Sequence, residues 1–236
     1  MKKIRYLVIL LSSISLAKIP GNMEQSVEIV IQSFSGNGQV RCLTPHLFNV
    51  ALYGNQLDDN QKSRLRNVGF RFDRLIVHRS MEDRAEGVGL DQTLDNGYFR
   101  FHYTITGTHA IANADTNGNK VPDYIDQMVT VFQFVTNMQL DSLGYAEPPS
   151  DSWYPANSDN GGSNHYDIYI RNLESNMYGY VMPEAFANAT GFGNNENTPV
   201  TELNALNSFM AMRNNYTGFP GTEEESIKVT AAHEYH

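Results

Sequence analysis

Hydrophobic positions change their spacing along the chain, and these changes predict its secondary structure. Residues 98–106, YFRFHYTIT, alternate apolar and polar side chains, which is the pattern of a half-buried strand. A similar alternation at 165–170 and at 178–182 predicts two further strands, and we expect a fourth at 208–213. All four segments are therefore expected to share a sheet.

Two segments follow a helical period instead. Residues 125–143 place apolar side chains on one stripe and end before Gly144, which predicts a helix with a glycine stop. A last helix is expected to begin at Thr222, whose hydroxyl can cap the first turn while Glu225 reaches back. The order of strand, helix, three strands and helix predicts an α+β fold with two helices packed on one mixed sheet.

The first 96 residues carry weaker patterns. Residues 27–31, VEIVI, predict a short strand, residues 57–65 are weakly helical, and residues 81–96 are charged and glycine-rich like a linker. We interpret residues 18–96 as an N-terminal extension or pro-region, and residues 97–236 as the main domain.

The N-terminus has the pattern of a signal peptide. Lys2, Lys3 and Arg5 precede a short apolar run, and residues 15–17 offer a cleavage site with small residues. The apolar run is too short to span a bilayer, and no other segment reaches transmembrane length. We expect residues 1–17 to direct a bacterial protein to a secreted or extracytoplasmic location; a buried helix of the domain is the alternative.

Composition narrows the possible partners. The 236 residues are 41% hydrophobic, enough for a sizeable core. Acidic residues outnumber basic ones by 26 to 17, and basic residues form no dense cluster after the first five positions. Nucleic acid is therefore not an expected partner, because neutralising phosphates needs clustered positive charge.

The end of the last helix contains candidate metal chemistry. In the zinc peptidase motif H-E-x-x-H, two imidazoles share one helix face and the glutamate acts as general base. His233 and Glu234 match its first two positions, and the second histidine would fall at position 237. Two other interpretations stay open: an ordinary helix histidine, and a pair of His233 with His236, which would also share a face.

Residues 115–126, DTNGNKVPDYID, have the spacing of a twelve-residue calcium loop. Two departures are Lys120, where such loops have glycine, and the short side chain of Asp126 at position twelve. A structural calcium turn fits this pattern, and a polar turn at a helix N-terminus is the alternative. The oxygen ligands would come from the following residues: Asp115, Asn117, Asn119, Val121 (backbone carbonyl), Asp123 and Asp126.

Six segments together resemble a family of secreted bacterial zinc metalloproteases. The resemblance covers roughly residues 98–236, and both the order and the spacing of the segments match. The segments are FRFHYTITGTHAI (99–111), DTNGNKVPDYID (115–126), LGYAEPPSD (143–151), YDIYIRNL (166–173), MYGYVMPE (177–184) and GFPGTEEESIKVTAAHEYH (218–236).

The resemblance implies a zincin-like fold, with a mixed sheet, a backing helix and an active-site helix below an edge strand that binds peptide. It implies that His233 is a zinc ligand, that Glu234 is the catalytic base and that the loop at 115–126 binds calcium. The sequence would then cover a signal peptide, a pro-region and the N-terminal half of a catalytic domain, truncated at the active-site helix. The remaining zinc ligands would lie beyond residue 236, so the fragment itself is expected to be inactive.

Cys42 is the only cysteine. It precedes the candidate zinc helix, and a pro-region thiolate can keep a zinc protease latent by binding the metal. Leu43 stands where such segments tend to have glycine, and an unpaired cysteine without a role is the alternative.

Three functional hypotheses follow. The first is a secreted zinc peptidase that acts on polypeptides, in which Glu234 deprotonates a zinc-bound water. The second is a non-enzymatic, calcium-stabilised binding module, which leaves His233 and Glu234 as coincidence. The third is another metal-dependent hydrolase, for which the chain offers no motif of its own.

Overall fold

A computed structural model describes residues 23–38, 40, 42–70, 85–145, 147–148, 160–173, 176–186 and 206–235. The predicted signal peptide and His236 lie outside these residues. Within them, no helix combines the length and the apolar character needed to cross a lipid bilayer.

The α+β fold class is confirmed. The described residues form five α-helices and one five-stranded mixed sheet. The elements are α1 (Met23–Phe34), α2 (Thr44–Tyr53), α3 (Asp59–Asn67), β1 (Gln92–Asn96), β2 (Phe99–Tyr103), α4 (Asp123–Thr136), β3 (Tyr166–Arg171), β4 (Gly179–Phe186), β5 (Leu206–Arg213) and α5 (Glu223–Glu234). One π-helical segment, Asn137–Ser142, continues α4.

The strands lie in the order β1-β2-β3-β5-β4. β2, β3 and β5 are parallel, whereas β1 and β4 pair antiparallel to their neighbours at the two ends of the sheet. β4 is therefore an antiparallel end strand directly beside the last parallel strand.

Helices cover both faces of the sheet. On one face, α4 and α5 bury the alternate side chains of the strands, such as Phe101, Ile168 and Met210. On the other face, α1, α2 and α3 pack against the intervening residues, which include Tyr169 and Phe209. This alternation is what a sheet buried on both sides requires, because successive side chains point to opposite faces.

The four strands and two helices predicted after residue 97 are confirmed, whereas two predictions before it are wrong. Residues 27–31 form part of α1 instead of a strand, because Val27, Val30 and Ser33 are buried on one face of the helix. The linker interpretation of residues 81–96 fails at β1, which pairs with β2 through a hairpin. The expectation of two helices on the sheet is also incomplete, since α1–α3 form a further layer.

Gly179, the first residue of β4, allows α5 to approach the sheet closely. A Cβ atom at this position would lie 2.8 Å from the Thr230 Cγ2 methyl and 2.9 Å from the Ala211 carbonyl oxygen. The end of α5, with His233 and Glu234, therefore lies directly beside the end strand of the sheet.

Candidate active site

The capping box fixes the start of the helix that carries the candidate site. The Thr222 hydroxyl accepts a hydrogen bond from the Glu225 amide at 3.2 Å, and the Glu225 carboxylate accepts one from the Thr222 amide at 2.8 Å. This arrangement satisfies two amides that a helix N-terminus would otherwise leave unpaired. The predicted cap is therefore confirmed, and α5 continues to Glu234.

A cleft of about 310 Å³ runs along the C-terminal half of α5. Val229, Thr230, His233 and Glu234 line its helical side, and Cys42 and Tyr178 also line it. The cleft thus combines residues from the N-terminal layer, the β4 region and the last helix.

The two residues of the candidate motif differ in exposure. The His233 side chain is exposed, whereas Glu234 retains only 8% of its accessible surface. His233 Nε2 lies 3.0 Å from the Cys42 Sγ atom, although the two residues are 191 positions apart in sequence. Ligand atoms of Cys42, His233 and Glu234 lie within 4.8 Å of one another, and no other such group of metal-ligating side chains occurs among the described residues.

Thr44 connects the catalytic-base candidate with the end strand. Its hydroxyl donates a hydrogen bond to Glu234 Oε2 at 2.6 Å and accepts one from the Val181 amide at 2.9 Å. Val181 lies in β4, and its amide points to Thr44 instead of to a neighbouring strand. A single hydroxyl therefore binds both the carboxylate and β4, the end strand of the sheet among the described residues.

Burial changes the acidity of two groups in the cleft. It raises the pKa of the Glu234 carboxyl, although the Thr44 hydrogen bond and His233 act in the opposite direction. Burial and then the nearby Glu234 charge raise the pKa of the Cys42 thiol. A carboxyl whose pKa lies above its ordinary value is a stronger base than an exposed glutamate, which suits a proton acceptor.

The donor set of the cleft fits zinc in part. A thiolate sulfur and an imidazole nitrogen on one tetrahedral zinc are about 3.5 Å apart, given bond lengths of about 2.3 and 2.0 Å. The observed separation of 3.0 Å between Cys42 Sγ and His233 Nε2 needs only a small shift to reach that value. His236 and position 237, the two candidates for the second imidazole, lie outside the described residues.

The calcium-type loop is compact, and its side chains satisfy its own backbone. Asp115 accepts hydrogen bonds from the amides of Gly118, Asn119 and Lys120, and Asp123 accepts one from Thr116. Lys120 has a φ of 71°, the only positive φ of a non-glycine residue among those described. The turn that usually needs glycine is thus made with lysine.

Three predicted calcium ligands meet in this loop. The side-chain amides of Asn117 and Asn119 both donate hydrogen bonds to the Asp126 carboxylate, at 2.7 and 3.0 Å. The Val121 amide donates to the Asn119 side-chain oxygen. Both asparagine side chains would need to turn their oxygens toward Asp126 to bind a cation together with it, because nitrogen atoms face it now.

Thr44 is the site residue that the sequence did not reveal. It stands 190 positions before Glu234, in the region interpreted as an extension, and has no local motif. Cys42 does carry a signal in the sequence, because it is the only cysteine of the chain and a thiolate is a common zinc ligand.

Comparisons of the chain with protein-family models, with curated proteins and with solved structures give no match.

Proposed function

We propose that this protein is a secreted zinc-dependent peptidase. The observation that carries the proposal is the close approach of three features: the exposed His233 imidazole, the buried Glu234 carboxylate, and the edge of β4 that Thr44 links to Glu234. A metalloprotease needs a metal ligand, a base and a strand that aligns the substrate backbone.

Each residue then has a distinct role. His233 would hold the metal through Nε2, and Glu234 would accept a proton from the attacking water, which its raised pKa favours. Zinc, when bound, polarises the peptide carbonyl and makes water more acidic. The Val181 amide on the edge of β4 would donate a hydrogen bond to an extended polypeptide.

The position of α5 beside an antiparallel end strand agrees with the zincin-like arrangement that the motif resemblance implies. The loop at 115–126 precedes α4, and we propose that it binds calcium as a structural ion. Its oxygen-rich donor set suits a hard cation, provided that the Asn117 and Asn119 amides turn.

The binding-module hypothesis remains the second candidate, since the calcium-type loop supports it independently of the cleft. Chelation separates the two candidates on the full-length gene product. After activation of the full-length gene product by limited proteolysis and removal of the added protease, the peptidase proposal expects casein hydrolysis that a zinc-selective chelator abolishes and added zinc restores. The module hypothesis expects no hydrolysis under any condition, with thermal stability lost on calcium removal alone.

A matched variant tests the role of Glu234 directly. Glu234→Gln keeps the size of the side chain and an acceptor for the Thr44 hydroxyl, so the melting temperature is expected to stay close to that of the parent. Hydrolysis is expected to fall by at least about 10²-fold, because general acid–base catalysis contributes that much. Unchanged hydrolysis in this variant would refute the assignment.

The proposal also predicts the codon that follows residue 236. A histidine at 237 would complete the i, i+4 pair with His233. Any other residue there would break the ligand pair and favour the binding module.

A further inference from the structure

Residues 42–44 lie where a peptidase would need open space. Cys42 Sγ contacts the His233 nitrogen that would face the metal. The Thr44 hydroxyl donates a hydrogen bond to Glu234 Oε2 and accepts one from the Val181 amide. One short segment thus contacts the proposed zinc ligand His233, the proposed base Glu234 and the proposed substrate-binding strand β4 at the same time.

The N-terminal layer anchors this segment firmly. Leu43, between the two contacting residues, has no accessible surface, and Thr44 is the first residue of α2. α2 in turn buries Leu47 and Val50 in the core on the second face of the sheet. The segment is therefore held by the fold and is not a loose loop that happens to touch the cleft.

The contacts are also specific for the chemistry of the cleft. Because His233 is exposed, the contact between Cys42 Sγ and this imidazole is not part of hydrophobic core packing. Thiolate is among the preferred ligands of zinc, and imidazole is another. Thr44 offers a donor to the carboxylate and an acceptor to the strand amide, which are the two interactions that catalysis would need for itself.

We infer that residues 42–44 are an internal inhibitor of the proposed peptidase, in which Cys42 is a metal ligand together with His233 and Thr44 blocks Glu234 and the edge of β4. This inference rests on the proposed function. It assigns the N-terminal layer the role of a pro-region that keeps the enzyme latent. Activation would need residues 42–44 to leave the cleft, after which the Cys42 sulfur takes a proton from solvent and becomes a free thiol.

The test uses the full-length gene product in a Glu234→Gln background, so that the chain cannot cleave itself. Cobalt(II) replaces zinc as the probe, because a cobalt–thiolate bond gives an intense near-ultraviolet charge-transfer band. The parent, Cys42→Ser and His233→Ala are compared. The parent is expected to show the band, and Cys42→Ser is expected to lose it while keeping the weaker visible bands of bound cobalt.

A second readout is the reactivity of the thiol with a chromogenic disulfide reagent. Binding of cobalt is expected to slow the reaction of Cys42 by at least about tenfold, since the free thiolate is the reacting species. Thr44→Val should speed the reaction in the loaded protein, because it removes the hydrogen bonds of the Thr44 hydroxyl to Glu234 and Val181. Thr44→Ser keeps the hydroxyl and serves as the matched control.

The outcomes separate the inference from the proposed function. Cobalt bound through His233, without a charge-transfer band and without protection of the thiol, would overturn the inhibitor and leave the peptidase intact. Cobalt that does not bind the parent, or that binds equally well after His233→Ala, would overturn both. Equal thiol reactivity in Thr44→Val and Thr44→Ser would remove Thr44 from the inhibitor.

Discussion

Replacing Gly179 with alanine would test how closely α5 is packed against the sheet. The new Cβ atom would lie 2.8 Å from the Thr230 Cγ2 methyl and 2.9 Å from the Ala211 carbonyl oxygen. Both distances are well below ordinary contact, and the Ala211 oxygen belongs to the backbone of β5, which cannot turn away. The end of α5 or the first residue of β4 must therefore move.

The change in the free energy of unfolding of Gly179→Ala follows from two opposing effects. Overpacking of this kind costs about 1–3 kcal/mol. The loss of a glycine from the unfolded chain returns about 0.4–1 kcal/mol, because alanine has fewer unfolded conformations. With the middle of each range, the free energy of unfolding should fall by about 1.3 kcal/mol, and the melting temperature should fall by about 3–5 °C for a chain of this size.

Thermal and urea unfolding of the variant would measure this change. Gly87→Ala is the matched control, since its Cβ would meet one Tyr169 atom at 3.4 Å and its φ is not positive. Adding Thr230→Ser to Gly179→Ala removes the methyl but keeps the hydroxyl that binds Ser226, so it should restore part of the stability. A Gly179→Ala protein as stable as the parent would refute the close packing.

Three further variants test the cap, the core and the N-terminal layer. Thr222→Ala should lower the free energy of unfolding by about 1 kcal/mol through loss of the capping box, while Thr222→Ser should stay near the parent in urea unfolding. Phe132→Ala should cost about 3–5 kcal/mol in the same assay, because Phe132 is fully buried; a loss below about 1 kcal/mol would contradict this. Burial lowers the pKa of His46, so its neutral form stabilises the fold above the ordinary pKa of about 6.5, and this contribution falls as the pH drops below that value. Melting temperatures at several pH values should show the loss, and His46→Gln should reduce it.

The strands could be predicted from alternation because apolar side chains of β2 and β3 face α4 and α5, whereas the opposite face also carries polar residues such as His102 and Asp167. In residues 99–103, Phe99, Phe101 and Tyr103 face α4, while the intervening side chains face the other way. β1 escaped prediction because it is an end strand with no fully buried residue, so its sequence QTLDN lacks a clear apolar alternation. Its pairing with β2 is supported by contacts such as the ion pair between Asp95 and Arg100.

The strand prediction at 27–31 shows the limit of local preference. Valine and isoleucine favour strands in short windows, yet Val27 and Val30 belong to a helical stripe whose partners lie in α2 and on the sheet. Tertiary packing decided the outcome there. The contact of Thr44 with Glu234 was even harder to predict, because the two residues are 190 positions apart and neither local segment has a pattern that indicates it.

The hydroxyl of Thr44 has a consequence for how molecules of this protein meet one another. An uncovered strand edge pairs readily with the same edge of another copy, and such pairing propagates into aggregates. Residues 42–44 cover the β4 edge at Val181, so the N-terminal layer protects the sheet from self-association as well as closing the cleft. A chain that loses this layer exposes that edge, and its solubility then depends on how quickly another extended segment binds there.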